Sequence, residues 1–171
     1  VKQREEMIKG SLASAEKVQA VVERVGEIRP GMSVVPVVFR PRPLESVEGK
    51  RVAFFSTAPP VQAGVLRGHL EREFGCRVEL LSTHLADRAA LRADLAGPEM
   101  SRVEVVLTEI KAAAIDVVAE EAASRGLPVV PVDNVPVEAW EESRGRLAEV
   151  VEELVELAKQ RFEVRGSRVS R

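Results

Sequence analysis

The chain has one cysteine, no tyrosine, two histidines and only 4% aromatic residues among 171. A single cysteine, Cys76, excludes an internal disulfide and a cysteine metal cluster within one chain. With only His69 and His84, and no HExxH spacing, a zinc site would have to lean on carboxylates, and no metal site is expected. Scarce aromatics argue against a base-stacking surface. A net charge of −2 gives no electrostatic footprint for nucleic acid. No apolar run approaches the roughly 18 residues of a membrane span, and the opening VKQREE has no signal-peptide core. The phosphate-loop pattern GxxxxGK(S/T), the dinucleotide pattern GxGxxG and the nucleophile elbow GxSxG are missing too. Glu48-Gly49-Lys50 precedes a strand, so it is no nucleotide cradle. Cys76 reads as a small, half-buried core residue, and the cytoplasm is the natural compartment. The chain starts without Met and inside a helical pattern, so we expect a processed protein or a piece of a longer one.

What is present suits one α/β domain with a real core: 45% of residues are hydrophobic and 30% charged. Apolar residues at three- and four-residue steps predict a helix over residues 3–25, ended by Gly26 and Pro30-Gly31. Residues 33–40 are rich in valine and predict a strand, and Pro36 within it demands an edge position or a bulge. Arg40-Pro41-Arg42-Pro43-Leu44 reads as a stiff, polyproline-like connector. It is the best internal boundary, so residues 1–44 are expected to belong with a preceding domain. Strands at 51–56, 77–82, 103–108 and 128–132 then alternate with helices at 61–74, 87–95 and 112–125. This predicts a Rossmann-like, three-layer α/β domain over residues 45–136, with four parallel strands and a possible fifth. A helix from 137 to 163, about 40 Å long, is longer than such a sheet needs for cover. Residues 164–171 read as a flexible tail.

In sheets of this kind the working edge is the carboxyl end of the strands. Each strand there is followed by polar groups: Ser56 and Thr57, then His84, Asp87 and Arg88, then Glu109 and Lys111, then Asp133 and Asn134. The opposite edge carries only scattered basic residues such as Arg51, Arg77 and Arg102. Plain roles compete at each place. Asp87 suits a helix N-cap. Ser56 or Thr57 either caps the next helix or offers its hydroxyl to a phosphate. Asp133 and Asn134 are good turn formers. His84 suits a solvated loop, and Arg40 and Arg42 suit a soluble linker or an anion clamp. Glu109 and Lys111 are either a surface pair or the functional centre. We favour the latter, because neither residue helps the local fold and a lysine in a first helical turn opposes the helix dipole.

The strings VVPVVFRPRPL (34–44), GKRVAFFSTAP (49–59), VLTEIKAAAIDVV (106–118) and VPVDNVP (130–136) resemble the C-terminal part of cyclic 2,3-diphosphoglycerate synthetases. The likeness spans roughly residues 7–136. It implies a longer parent enzyme that uses ATP and Mg²⁺ to close an intramolecular phosphoanhydride in 2,3-diphosphoglycerate, with its phosphate-loop region upstream of this portion. On that implication the present chain supplies anion contacts and does not run the reaction alone. Lys111 with Glu109 would be the catalytic pair. Arg40, Arg42, Ser56, Thr57, His84, Arg88, Asp133 and Asn134 would contact the phosphorylated substrate. No cofactor is assigned to this portion. The partners implied are the upstream ATP-binding domains and a phosphorylated small molecule. Two other readings compete: a module that senses a phosphorylated metabolite, and an assembly module pairing copies through the long helices.

Overall fold

The computed structural model describes residues 15–110 and 114–169. The described elements are α1 (Ala15–Ile28), β1 (Val37–Pro43), β2 (Arg51–Phe55), α2 (Ala63–Phe74), β3 (Arg77–Ser82), α3 (Arg88–Leu95), β4 (Val105–Glu109), α4 (Ile115–Ser124), β5 (Val129–Glu138) and α5 (Arg146–Val169). The chain divides into two compact units, Phe39–Val135 and the pairing of Val1–Val38 with Pro136–Arg171.

The sheet has five strands in the order β1-β5-β4-β2-β3. Strand β2 lies parallel to β3 and β4, and β4 parallel to β5. Strand β1 is the exception. Leu44 N–H donates to Pro131 O, whereas Ala139 N–H donates to Pro36 O. Partner numbers rise on one strand as they fall on the other, so β1 runs antiparallel to β5. The sheet is therefore mixed, not the purely parallel sheet expected. Arg40-Pro41-Arg42-Pro43 is part of β1 and not a connector. Its prolines are tolerated because β1 is an edge, where a missing N–H costs no ladder bond. The same pairing extends β5 through Asp133 and Asn134, which sequence alone placed in a turn. The final helix consequently starts at Arg146, not 137, and runs to Val169.

The central strands are apolar on both faces, as strands covered on both sides must be. Val52, Phe54, Leu107, Val130 and Val132 pack against Leu66 and Leu70 of α2. On the other face Ala53, Phe55 and Val106 pack against Leu91 and Leu95 of α3 and Val117, Val118 and Ala122 of α4. Cys76 is buried in the first of these clusters, and burial raises its thiol pKa, as suits an inert core residue. Gly75 (φ 62°) ends α2 in the left-handed conformation open to glycine, as the sequence predicts. In the other unit, Ala15, Val18 and Val22 of α1 pack on Val38, Ala139 and Trp140. On α5, Val151, Leu154, Val155 and Phe162 are exposed.

The basic residues of the amino-terminal edge are not scattered free charges. Arg77 and Arg102 each place Nε 2.9 Å from opposite oxygens of Glu79, whose side chain is only 5% exposed. Arg51 donates to Glu104 through its backbone N–H and its guanidinium, and these bonds hold the Glu104 carboxyl below its usual range. All three arginines of this edge are thus paired, with two carboxylates between them.

His69 on α2 ties the helix to the edge strand. Its Nε2 lies 3.1 Å from Pro41 O, and since a carbonyl only accepts, Nε2 carries the proton. Burial lowers its pKa, outweighing the Pro41 carbonyl, which raises it; the charges of Arg40 and Arg72 lower it further against Glu73. A depressed folded value means the unfolded chain binds this proton more readily. The His69 contribution is therefore present above about pH 6.5 and lost as pH falls through the folded value. Urea unfolding at about pH 7 and 5 should differ by an additional amount under about 1 kcal/mol that His69→Gln removes. An unchanged pH slope in that variant would refute the linkage.

Candidate functional site

Strand β2 leads through α2 to β3 on one side, and β4 leads through α4 to β5 on the other. The outgoing connections therefore diverge between β2 and β4. Such a divergence opens a crevice at the carboxyl edge, where open α/β sheets receive their ligands. Ser56 and Thr57 follow β2, and Glu109 closes β4, at this crevice.

The register Phe55↔Thr108 puts Ser56 level with Glu109, and the two side chains meet. Ser56 Oγ donates to Glu109 Oε1 at 2.8 Å. Thr57 donates to Oε2 twice, through its backbone N–H (3.0 Å) and its hydroxyl (2.7 Å). Asn134 Nδ2 donates to Oε1 at 3.3 Å from the end of β5. Glu109 is only 8% exposed. Four donors match the roughly four lone-pair sites of a carboxylate, so this buried group is satisfied without a cation. The Ser56 hydroxyl also accepts from Ala58 N–H, closing the turn after β2. Glu109 thus does help the local fold, contrary to the sequence-level argument. It pins the loop after β2 to the ends of β4 and β5. Neither Ser56 nor Thr57 caps the following helix. Entry is through the 3-10 turn Pro60–Gln62, and no side chain caps α2.

Beside this hub lies a cleft of about 300 Å³, lined by Phe39, Thr57, Glu109, Ile110, Val132, Asp133 and Asn134. Phe39 (61% exposed) and Ile110 form an apolar rim. Arg42 Nη2 reaches Asp133 Oδ2 at 3.8 Å. The described lining carries two carboxylates and no cation of its own. Lys111, expected to lead the site, lies outside the described residues. Mg²⁺ does not suit this donor set. The oxygens of Glu109 are saturated by hydrogen-bond donors, Asp133 is paired, and no group of three or more His, Cys, Asp or Glu side chains gathers among the described residues.

Other expected contacts fall elsewhere. Arg40 is half-buried, and burial, then the nearby charge of Arg72, lower its pKa. Arg88 at the start of α3 donates from one guanidinium nitrogen to both oxygens of Asp116 at 2.9 and 2.8 Å, holding that carboxyl below its usual range. Asp87 caps α3 as expected, accepting from Ala89 and Ala90 N–H. His84 Nδ1 lies 2.8 Å from Asp94 Oδ2, to which Ser82 Oγ also donates at 2.6 Å. Sequence reasoning missed Asp94. Its only signal was its position in the last turn of a helix that folds back over β3. The lining role of Phe39 and Ile110 had no signal, since both read as ordinary apolar positions.

Known proteins share this portion. A family model described as the cyclic 2,3-diphosphoglycerate synthetase C-terminal domain matches residues 43–135, which include every lining residue but Phe39. A cyclic 2,3-diphosphoglycerate synthetase of Methanothermus fervidus is 42% identical over 152 residues, covering 89% of this chain and 33% of that protein. One of Rubrobacter xylanophilus is 47% identical over 131 residues, covering 77% and 29%. One of Methanothermobacter thermautotrophicus is 40% identical over 131 residues, covering 77% and 28%. The chain thus spans about a third of the length of these relatives.

Proposed function

The chain belongs to the cyclic 2,3-diphosphoglycerate synthetase family through its C-terminal domain, and on that premise we propose that it forms one wall of the substrate cleft of an ATP-dependent cyclising ligase. The observation that carries this reading is the Glu109 hub at the divergence of β2 and β4. A buried carboxylate spends all its bonding capacity on holding three chain segments at one ligand-facing edge.

Closing a phosphoanhydride ring in 2,3-diphosphoglycerate brings phosphate charges together, so cations and donors must surround them. Lys111 follows Glu109 by two residues in the sequence and is the first cation of this reading. Arg42 at the rim is the second. Asn134 retains a second amide hydrogen for a ligand oxygen. Glu109 is a positioning residue, since its lone pairs are occupied. ATP and Mg²⁺ are assigned in this reading to the rest of the parent protein, since the described cleft lining offers no free carboxylate set for the metal. Lys111→Ala in a full-length synthetase that carries this domain should lower turnover about tenfold or more, with the melting temperature unchanged. Turnover equal to the parent's would remove Lys111 from the site and with it the anion-binding role of this wall.

A further inference from the structure

One built constellation stands outside the cleft lining. At the carboxyl end of β3, the edge neighbour of β2, three side chains hold one another. Ser82 is buried, and its hydroxyl donates to Asp94 Oδ2 and accepts from the backbone N–H of His84. Asp94 Oδ2 is then shared with His84 Nδ1. Because a carboxylate only accepts, Nδ1 carries a proton, and Nε2 has no partner among the described residues. The His84 side chain is 46% exposed. An exposed pair of this kind contributes little to stability, so fold maintenance does not account for the orientation of this ring.

The constellation is also wired to the hub. Ser56 N–H donates to Ser82 O, and Leu85 N–H donates to Ser56 O. Ser56 in turn donates to Glu109. His84 therefore stands one strand along from the crevice, and neighbouring strands lie about 4.8 Å apart. We propose that His84 is a ligand-contacting residue whose ring, held by Asp94 at Nδ1, turns Nε2 toward the ligand in the β2/β4 crevice and as the imidazolium donates Nε2–H to a phosphate oxygen, with Asp94 and Ser82 as its positioning residues. The proposal rests on the reading of that crevice as the substrate wall. It adds the group that meets a second anionic arm on the α3 side. Asp94 is the charged partner at Nδ1, while Asp87, whose backbone N–H donates to His84 O, has its carboxylate engaged with the N–H groups of Ala89 and Ala90.

The two histidines make the test direct, because His69 serves as an internal control. The full chain is titrated with 2,3-diphosphoglycerate while the imidazole and backbone amide resonances are followed by NMR. The Nε2 and Hε1 signals of His84 should move and saturate together with the amides of Thr57 and Asn134, while those of His69 stay in place. His84→Gln should weaken binding about fivefold, with the fold retained. Asp94→Asn should weaken binding in the same direction, with the fold retained. Movement of the Thr57 and Asn134 amides without His84 overturns this inference and leaves the crevice reading intact. Absence of any movement at millimolar ligand overturns both.

Discussion

Replacing Glu109 by alanine is expected to destabilise the protein by about 3–5 kcal/mol, although a surface glutamate would cost almost nothing. The truncation strands the buried Ser56 hydroxyl and removes the acceptor from two Thr57 donors and the Asn134 amide at the edge of the cleft. Each buried donor left unmade costs about 1–3 kcal/mol, softened here where the loop can relax toward water. Glu109→Gln is the sharper control. It keeps the volume and one acceptor oxygen but turns an NH₂ toward groups that themselves donate. About half the alanine loss is expected. Urea unfolding measures both, and a loss under about 1 kcal/mol for alanine would mean that the hub is not what holds these loops. Lowered turnover in a Glu109 variant would then be read as misplacement of Thr57 and Asn134, not as loss of a catalytic base.

Phe54→Ala is expected to cost a similar amount, about 3–5 kcal/mol, through a different cause. Phe54 is fully buried in β2, packed with Val52, Leu66, Leu70, Leu107 and Val132 beneath α2. β2 lies between β4 and β3, so it cannot shift to fill the void without breaking a ladder on either side. Its removal opens a cavity two residues before Ser56. Phe39→Ala is the contrasting substitution: same chemistry, but an exposed ring on the cleft rim, with an expected change within about 0.5 kcal/mol. Thermal unfolding of the two variants side by side checks the difference. Equal losses would mean that Phe39 is covered in solution.

The elements whose boundaries matched the sequence reading are those that local chemistry defines. The strand Arg77–Ser82 is bounded by Gly75 and by polar loop residues, and α3 begins where Asp87 can cap it. The elements that moved are those decided by a distant partner. Arg40-Pro41-Arg42-Pro43 has the local signature of a linker, yet it becomes a strand because β5 offers it an edge. Asp133-Asn134 has the signature of a turn, and the same partner extends it. In the site, Glu109, Ser56, Thr57 and Asn134 were each named as candidates from their places at strand ends. Their convergence on one carboxylate was not legible, because sequence spacings of 25 to 53 residues separate Glu109 from its donors.

The order of apolar and polar residues along this chain was enough to dictate alternating strands and helices and to put the polar groups at the carboxyl edge. These follow from periodicity and capping, which act over a few residues. Strand direction at the edge, the pairing of the arginines of the opposite edge, and the conversion of Glu109 from surface charge to buried hub were decided only in three dimensions. Pairing, desolvation and hydrogen-bond satisfaction depend on which distant groups arrive at the same place.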